Sequence, residues 1–428
     1  MMNIILHQYD IHLIITTFLG FIMKRIYPLL LLLTATNVSQ AGFEEHRTET
    51  QVSVNKAAVT VLPPAPDFEI IKVDTQGQPY RCEGNATITL DQGVTNLTTL
   101  KYFGTSISIN IYDKNNSNIN LALCNALKVI QEYHYLASNY STYPHVINIK
   151  SINNEPEKTH HLDPKLTQLI KASIDWHDKT DGYFNIALSP VIDIWRGYRA
   201  QCKGERKSQD KCNIPTDAEL NAAKPLININ NIDLDVANNT IKMQAGMSID
   251  LGGIAKGWMA EMVYRQLKND GIDNFMINAG GNIRHYGLHP QGRQFTTAVE
   301  DPVCKKYNNS LEQCQSFAGQ FHEVITGKDI TVVSSGNYLR YYRVNGQEYH
   351  HIINPKTLYP KKAGISTTIV MNDNQIYADI ISTALFLMPL NEAINYTNHN
   401  NDVEAIWYLN AAGDKKESNN FKDYRMSL

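Results

Sequence analysis

The chain is 428 residues long, 43% hydrophobic and 19% charged, with 39 lysines and arginines against 42 acidic residues and a formal net charge of −3. That length supplies a sizeable core in one or two domains, and the composition excludes a disordered or fibrous protein. The near balance of charge removes any general electrostatic case for nucleic acid as a partner. At the N-terminus, Met23-Lys24-Arg25, a leucine-rich run over 26–33 and Ser39-Gln40-Ala41 form the basic, apolar and small-x-small parts of a signal peptide. The expectation is a removed segment 1–41, with 1–22 as an extension upstream of a start at Met23, and a mature protein in the periplasm. A second apolar run over 11–22 leaves a further membrane segment as the alternative. No cysteine stands at the cleavage point, so a lipid anchor is not indicated.

All six cysteines, at 82, 124, 202, 212, 304 and 314, follow that segment, and an even number in an exported chain suggests disulfides. Cys202 with Cys212 and Cys304 with Cys314 sit ten apart in polar, loop-like sequence, and those local pairs would leave Cys82 with Cys124. No C-x-x-C and no histidine at ligand spacing accompanies them, so a metal reading of the cysteines fails.

Residues 42–67 are polar and then proline-rich, a flexible lead-in. Residues 68–100 read as a short β-rich extension whose strands are broken by Gly77, Gly84 and Gly93, and 101–428 as the main domain. After Phe103-Gly104-Thr105, Ile107, Ile109 and Ile111 alternate with polar residues as in a half-buried strand. Helical periodicity follows over 118–136, running into Ser141-Thr142-Tyr143, and over 162–177, opened by Asp163-Pro164. Thr180-Asp181-Gly182-Tyr183-Phe184-Asn185 comes next, then a polar, basic excursion over 197–213, a short helix over 215–223 capped by Thr216, and two short strands within 227–243.

The stretch 247–287 concentrates backbone specialisations. Ser248 to Leu251 reads as the end of a strand, Gly252-Gly253 as a tight turn, and 254–267 as a helix with Met259, Met262, Val263, Tyr264 and Leu267 on its apolar side. A helix N-terminus at a glycine turn offers free N–H groups and a positive dipole end, and Lys256 in the first turn adds a full charge, so a diphosphate suits the place. Asp270-Gly271 ends the helix, 275–278 is a buried strand, and Gly280-Gly281 permits close approach of a backbone or a flat ligand.

Farther on, 295–300 reads as a strand, 302–319 as a second cysteine loop and 321–333 as a hairpin about Gly327-Lys328-Asp329, followed by Ser334-Ser335-Gly336-Asn337-Tyr338. Asn345-Gly346 is a strong hairpin turn leading into Tyr349-His350-His351-Ile352-Ile353-Asn354-Pro355. Asp379 and Thr383 stand four apart on an apolar helix, one turn apart on one face, which suits a hard cation such as magnesium. Each feature taken alone also has a plain structural reading: a βαβ joint, a packed strand histidine, an aspartate at a helix dipole.

TDGYFN at 180–185, DLGGIAKG at 250–257, GGN at 280–282, SGNY at 335–338, HIINPKTLYP at 351–360 and ADIISTA at 378–384, which follow one another in family order, resemble the ApbE-type FAD:protein FMN transferases. The resemblance implies an α+β fold with mixed and antiparallel sheets flanked by helices, two lobes and an FAD cleft between them. It implies a magnesium-dependent transferase in which a threonine or serine hydroxyl of a client flavoprotein, a subunit of a membrane redox complex, attacks the FAD diphosphate and releases AMP. Carried over residue by residue, it puts Phe103, Tyr143, Tyr183, Phe184, Asn185, Asp250, Lys256 and Ile365 on FAD. It puts the Gly253 carbonyl, Asp379 and Thr383 on the metal, and makes His351 the base. The chain departs from the family pattern at Phe103, Asn185, Asn337, Asn354 and Leu358, and carries Glu261 where the family often has aspartate. Water as acceptor, giving an FAD diphosphatase, and a non-catalytic exported flavin carrier are the alternatives.

Overall fold

The structure, a computed structural model, describes residues 86–113, 118–202, 212–306, 310–316, 318–372 and 375–426. The expected signal peptide, the lead-in, the extension up to residue 85, Cys82 and the middle of the first cysteine excursion lie outside the described residues. Everything described belongs to one compact unit, Pro64–Leu428. Among the described residues no helix is long and apolar enough to cross a membrane.

The fold is α+β. Its main element is a nine-stranded sheet in the spatial order β1 (Thr87–Asp91), β2 (Val94–Thr99), β3 (Ile107–Ile111), β7 (Phe275–Ala279), β8 (Asn282–Tyr286), β11 (Thr331–Gly336), β14 (Ser366–Met371), β15 (Val403–Tyr408) and β16 (Lys415–Glu417). Every pairing in it is antiparallel. A three-stranded sheet joins β4 (His160–His161), β6 (Thr240–Met243) and β5 (Ile232–Asp235), and two-stranded ribbons join β9 (Phe295–Glu300) with β10 (Phe321–Gly327) and β12 (Tyr341–Val344) with β13 (Gln347–His350). The helices are α1 (Ile119–Ala137), α2 (Ile149–Asn154), α3 (Pro164–Lys179), α4 (Ser189–Gln201), α5 (Asp217–Ala223), α6 (Ala255–Asn269), α7 (Pro302–Lys306), α8 (Ala378–Leu387) and α9 (Leu390–Asn398).

The alternating isoleucines of β3 are fully buried and share the main core with Leu123, Leu127 and Ile130 of α1 and Met259, Val263 and Leu267 of α6. β1, at one edge, and β2 beside it, both from the stretch expected as a short N-terminal extension, belong to this same sheet. The hairpin expected over 321–333 is not formed: β10 pairs with β9, whereas β11 pairs with β14 and β8. The burial patterns give the reason. Thr331, Val332 and Val333 are all buried, as in a strand covered on both faces, while β10 alternates and fits a ribbon with one wet side. A smaller core gathers Val191 and Trp195 of α4, Leu220 of α5, Tyr342 and Val344 of β12, and Leu358. The Asn345-Gly346 turn joins β12 to β13 with φ +49° and +78°, the left-handed pair a two-residue hairpin turn needs.

Candidate functional site

The segment Ser248–Leu251 is extended but belongs to no strand, which corrects the sequence expectation. Its ladder partner is a side chain: the Asn153 amide donates to the Ile249 carbonyl at 2.8 Å and accepts the Ile249 N–H at 2.8 Å. An amide group can satisfy a backbone pair as another strand would, so no strand is required there. Asp250 next accepts the Gly252 N–H at 2.7 Å, closing the turn, and its other oxygen meets Arg196 at 3.3 Å and Asn139 at 3.4 Å. A Cβ on Gly253 would stand 3.1 Å from the Phe184 ring, so that glycine lets Phe184 pack against the turn. Ile254, the N-cap residue of α6, makes no side-chain cap; the Ala255 N–H goes to the Leu251 carbonyl at 2.9 Å and the Gly257 N–H to the Asp379 carboxylate, which sits at the positive end of the helix dipole.

α8 meets α6 at this point. Nine of its ten residues are buried, the pattern of a helix that is apolar all round, and Thr383 is the exception. Asp379 is only 5% exposed, and a carboxylate in that position requires partners. It accepts the Gly257 N–H at 2.6 Å and the Asn282 amide at 2.5 Å, with the Lys256 ammonium at 3.4 Å. A Cβ on Gly257 would lie 3.3 Å from the Cβ and carboxyl carbon of Asp379, so the lack of a side chain there sets the approach. Ser335, at the end of β11, hydrogen-bonds Ser382 at 2.9 Å and Thr383 at 3.3 Å. Beyond it, the Asn337 N–H donates to the Ile365 carbonyl at 3.0 Å, which brings Ile365 to the same end of the sheet. Asp379, Thr383, Lys256, the glycine turn and Ile365 are therefore gathered where α6, α8 and β11 begin or end.

The aromatic candidates fall into two groups. Phe103 and Tyr143 both contact His134 of α1, Phe103 through its N–H at 3.2 Å and Tyr143 through its hydroxyl at 3.3 Å. Tyr183 is buried, with Lys356 4.0 Å from its ring centroid and its hydroxyl 3.3 Å from Glu392. Asn185 spends its amide within the chain: its oxygen caps Ala187 N–H at 2.8 Å and its nitrogen donates to the Ile227 carbonyl at 2.9 Å.

His350 is the last residue of β13 and His351 lies just beyond it. His350 is 5% exposed, donates to the Lys361 carbonyl at 2.7 Å and accepts the Ile352 N–H at 3.2 Å, and burial pushes it down to about 4. His351 follows the strand, and its Nδ1 is buried without a hydrogen-bond partner. Burial first, then the charges of Arg340, His350 and Arg199, push it down to about 3, so it stands as a neutral imidazole with an unshared lone pair. Only the neutral ring can take a proton, but a ring held near 3 takes one weakly, and the buried Nδ1 has to be uncovered before a client hydroxyl can reach it. Among the described residues no hydrogen bond joins His351 to Asp379, and the charged groups beside His351 are Arg340 and Arg199 rather than the residues where α6 meets α8.

Sequence reasoning did not single out Asn282, Ser335, Ser382, Arg196, Asn153 or His134. The signals for Asn282, Ser335 and Ser382 were present, because each stands inside a motif already recognised; Arg196, Asn153 and His134 are fixed only by tertiary contact.

Residues 103–407 match the family model described as the ApbE family. The chain is 29% identical over 220 residues to the FAD:protein FMN transferase of Vibrio cholerae serotype O1, covering 51% of this chain and 60% of that protein. It is 27% identical over 242 residues to that of Klebsiella pneumoniae, covering 56% of this chain and 67% of the relative. The match thus spans about three fifths of the length of the Vibrio protein. Among solved structures, the ApbE protein from Thermotoga maritima superposes with a TM-score of 0.65 at 25% identity, covering 78% of this chain and 100% of that one. The flavin transferase ApbE from Vibrio cholerae gives 0.61 at 22% identity, covering 77% and 99%.

Proposed function

The chain belongs to the ApbE family, and from that premise we propose that it is an FAD:protein FMN transferase working in the periplasm on a client flavoprotein of a membrane redox complex. In the proposed reaction a threonine or serine hydroxyl of the client attacks the FMN-side phosphorus of FAD. The new P–O bond forms as the bond to the bridging oxygen breaks; AMP departs with that oxygen, and the hydroxyl proton passes to His351. Lys256, in the first turn of α6, binds the diphosphate and opposes its growing charge. Phe103, Tyr143 and Ile365 line the flavin end, and Tyr183, Phe184 and Asp250 form the wall beside the glycine turn.

Magnesium fits the donors present. Asp379, the Thr383 hydroxyl and the Gly253 carbonyl are all oxygen, the hard set this ion prefers, and Thr383 is the one residue of α8 left outside the core. When bound, the ion supplies neutralisation of charge on the diphosphate. The observation that carries the reading is the convergence of Lys256, Gly257, Asp379 and Thr383 where α6 meets α8. The disulfides Cys202–Cys212 and Cys304–Cys314, each with Cα atoms 5.5 Å apart, support an oxidising compartment.

The exchanges that favoured a mere flavin carrier have local explanations. Asn185 caps a turn, and Asn354 accepts the Lys356 N–H at 2.9 Å while its carbonyl takes the Leu358 N–H at 2.7 Å. Incubating the protein with FAD and magnesium, with and without a client domain, tests the reading. AMP and covalently fluorescent client should appear together and only when client is present. AMP with free FMN in its absence would make the chain a diphosphatase, and tight FAD binding without turnover would make it a carrier.

A further inference from the structure

Phe103 has φ +55° and the next residue, Gly104, φ +60°, while the Thr105 N–H reaches back to the Tyr102 carbonyl at 3.4 Å. Tyr102 to Thr105 is thus a turn with two left-handed central residues, the kind that takes asparagine or glycine. A bulky residue in the first of those positions is an outlier, and such strain persists only where the surroundings over-determine it.

Here a single imidazole does so. The Phe103 N–H donates to Nδ1 of His134 at 3.2 Å, and the two rings meet edge to face with centroids 5.6 Å apart. A backbone amide can only donate, so Nδ1 is the acceptor and the neutral ring carries its proton on Nε2. That nitrogen lies 3.3 Å from the Tyr143 hydroxyl, and the Tyr143 ring is further held by Tyr135, with centroids 4.5 Å apart. Burial, and secondly the charge of Lys101, lower the affinity of His134 for a second proton, which keeps this tautomer in place. Phe103 and Tyr143, both half-exposed, come from different loops and are fixed through one residue in the last turn of α1.

The turn also has a definite neighbour. The Gly280 N–H donates to the Ser106 carbonyl at 3.0 Å, and any side chain on Gly280 would collide with Thr105. Two residues on, Asn282 bonds Asp379. The strained phenylalanine is therefore aimed from a turn that abuts the strand carrying the partner of the candidate metal carboxylate.

We propose that His134 is a positioning residue, holding Phe103 in its left-handed conformation and Tyr143 beside it as an aromatic clamp for a flat heteroaromatic ring. Resting on the transferase reading, that ring is the isoalloxazine of FAD. Aromatic contact with such a ring is strong enough for loss of the clamp to weaken binding about tenfold.

FAD titration followed by quenching of flavin fluorescence tests the clamp, with melting temperature as the check on folding. His134→Leu should weaken binding about tenfold and reduce the quench at saturation. His134→Asn places an oxygen where Nδ1 stands, keeps the acceptor for Phe103, and should recover most of both. His134→Gln, which sets no acceptor at that position, should behave as the leucine variant does and replaces it if leucine prevents folding. In a Phe103→Gly background the left-handed turn no longer needs the histidine, so His134→Leu should cost less there, through Tyr143 alone. Wild-type affinity in His134→Leu, equal losses in His134→Asn and His134→Leu, or an undiminished loss in the Phe103→Gly background each overturns the proposal. A wild-type chain that quenches FAD but labels no client overturns the transferase reading and leaves the clamp standing. Client labelling alongside normal FAD binding by His134→Leu overturns the clamp alone.

Discussion

Two of the chain's departures from its family pattern are residues with φ greater than zero, Phe103 at +55° and Leu358 at +63°. Leu358 stands where the family has glycine, and the structure shows what holds it: its carbonyl accepts the Trp195 indole N–H at 2.8 Å and its side chain is buried in the smaller core. Leu358→Gly should then relieve backbone strain but lose apolar burial of about 1.5–3 kcal/mol, so a lowered melting temperature is expected on balance. The paired histidines give a sharper test. His351→Gln should keep the melting temperature and cut client labelling by roughly 10²–10⁴, the range for losing general-base help. His350→Gln should do the reverse, lowering the melting temperature, because it disturbs a buried ring bonded to Lys361 and Ile352. Under the proposed mechanism His351 works as the neutral imidazole, so activity is lost only as pH falls through its folded value. With His351 pushed down to about 3, labelling between pH 5 and 8 should show no acid limb from this residue. A limb near pH 6.5 that vanishes in His351→Gln would show the ring to be solvated in the working complex.

At the scale of elements, the site depends on how closely α6 and α8 approach, and Gly257 sets that distance. Gly257→Ala would gain roughly 1 kcal/mol of helix propensity but place a methyl group 3.3 Å from Asp379, so labelling should drop at least tenfold while the melting temperature changes little. Asp379→Ala should abolish labelling, and moderate extra magnesium should not restore it; unchanged labelling would remove the carboxylate from the metal site. The cysteine pairs are a second element-scale device. Opening Cys202–Cys212 by double serine substitution should cost about 2–3 kcal/mol in denaturant unfolding, as expected for a loop of ten residues. Cys124 is disulfide-bonded too, and denatured protein should show no free thiol. What the sequence made legible at this scale was whatever has a local cause. Helix α6, the Asn345-Gly346 hairpin and the Thr216 cap stand where periodicity and turn chemistry put them, and Thr216 forms a full capping box with Glu219. Asp379 and Thr383 were legible because one helical turn puts them together. What failed had a tertiary cause. The pairing of β11 with β14 rather than β10 depends on which strands the core covers, and the strand expected before Gly252 is replaced by one asparagine from α2, ninety-six residues away. His134 gave no signal, since its role exists only once Phe103 and Tyr143 are folded against it.

For the molecule as a whole, the buried histidines predict how it responds to acid. His285 is fully buried between β8 and the neighbouring ribbon, bonded to the Thr297 hydroxyl at 2.7 Å, and burial pushes it down to about 4. His350 is held down to about the same value for the same reason. In the unfolded chain both would take a proton near pH 6.5, so below that pH the unfolded state binds more protons than the native one. Stability is therefore complete above about pH 6.5 and is lost progressively as pH falls toward 4, by roughly 3 kcal/mol for each of the two groups across that interval. His322 and His351, also lowered, act in the same direction. Glu323 adds a later loss. Arg425 and Lys415 outweigh the effect of its burial and keep its carboxyl below the usual value, so its contribution is present above the unfolded pKa and lost as pH falls through the folded one. Against the usual 5–15 kcal/mol of a folded domain, the histidine losses alone are large. The melting temperature should hold from pH 8 to about 6.5 and then decline steadily, before the carboxylates begin to titrate. His350→Gln should lower the starting stability and flatten the slope between pH 6.5 and 4. A wild-type melting temperature that stays level down to pH 5 would mean that these rings accept protons in the folded chain and that the interior around β8 and β13 admits water.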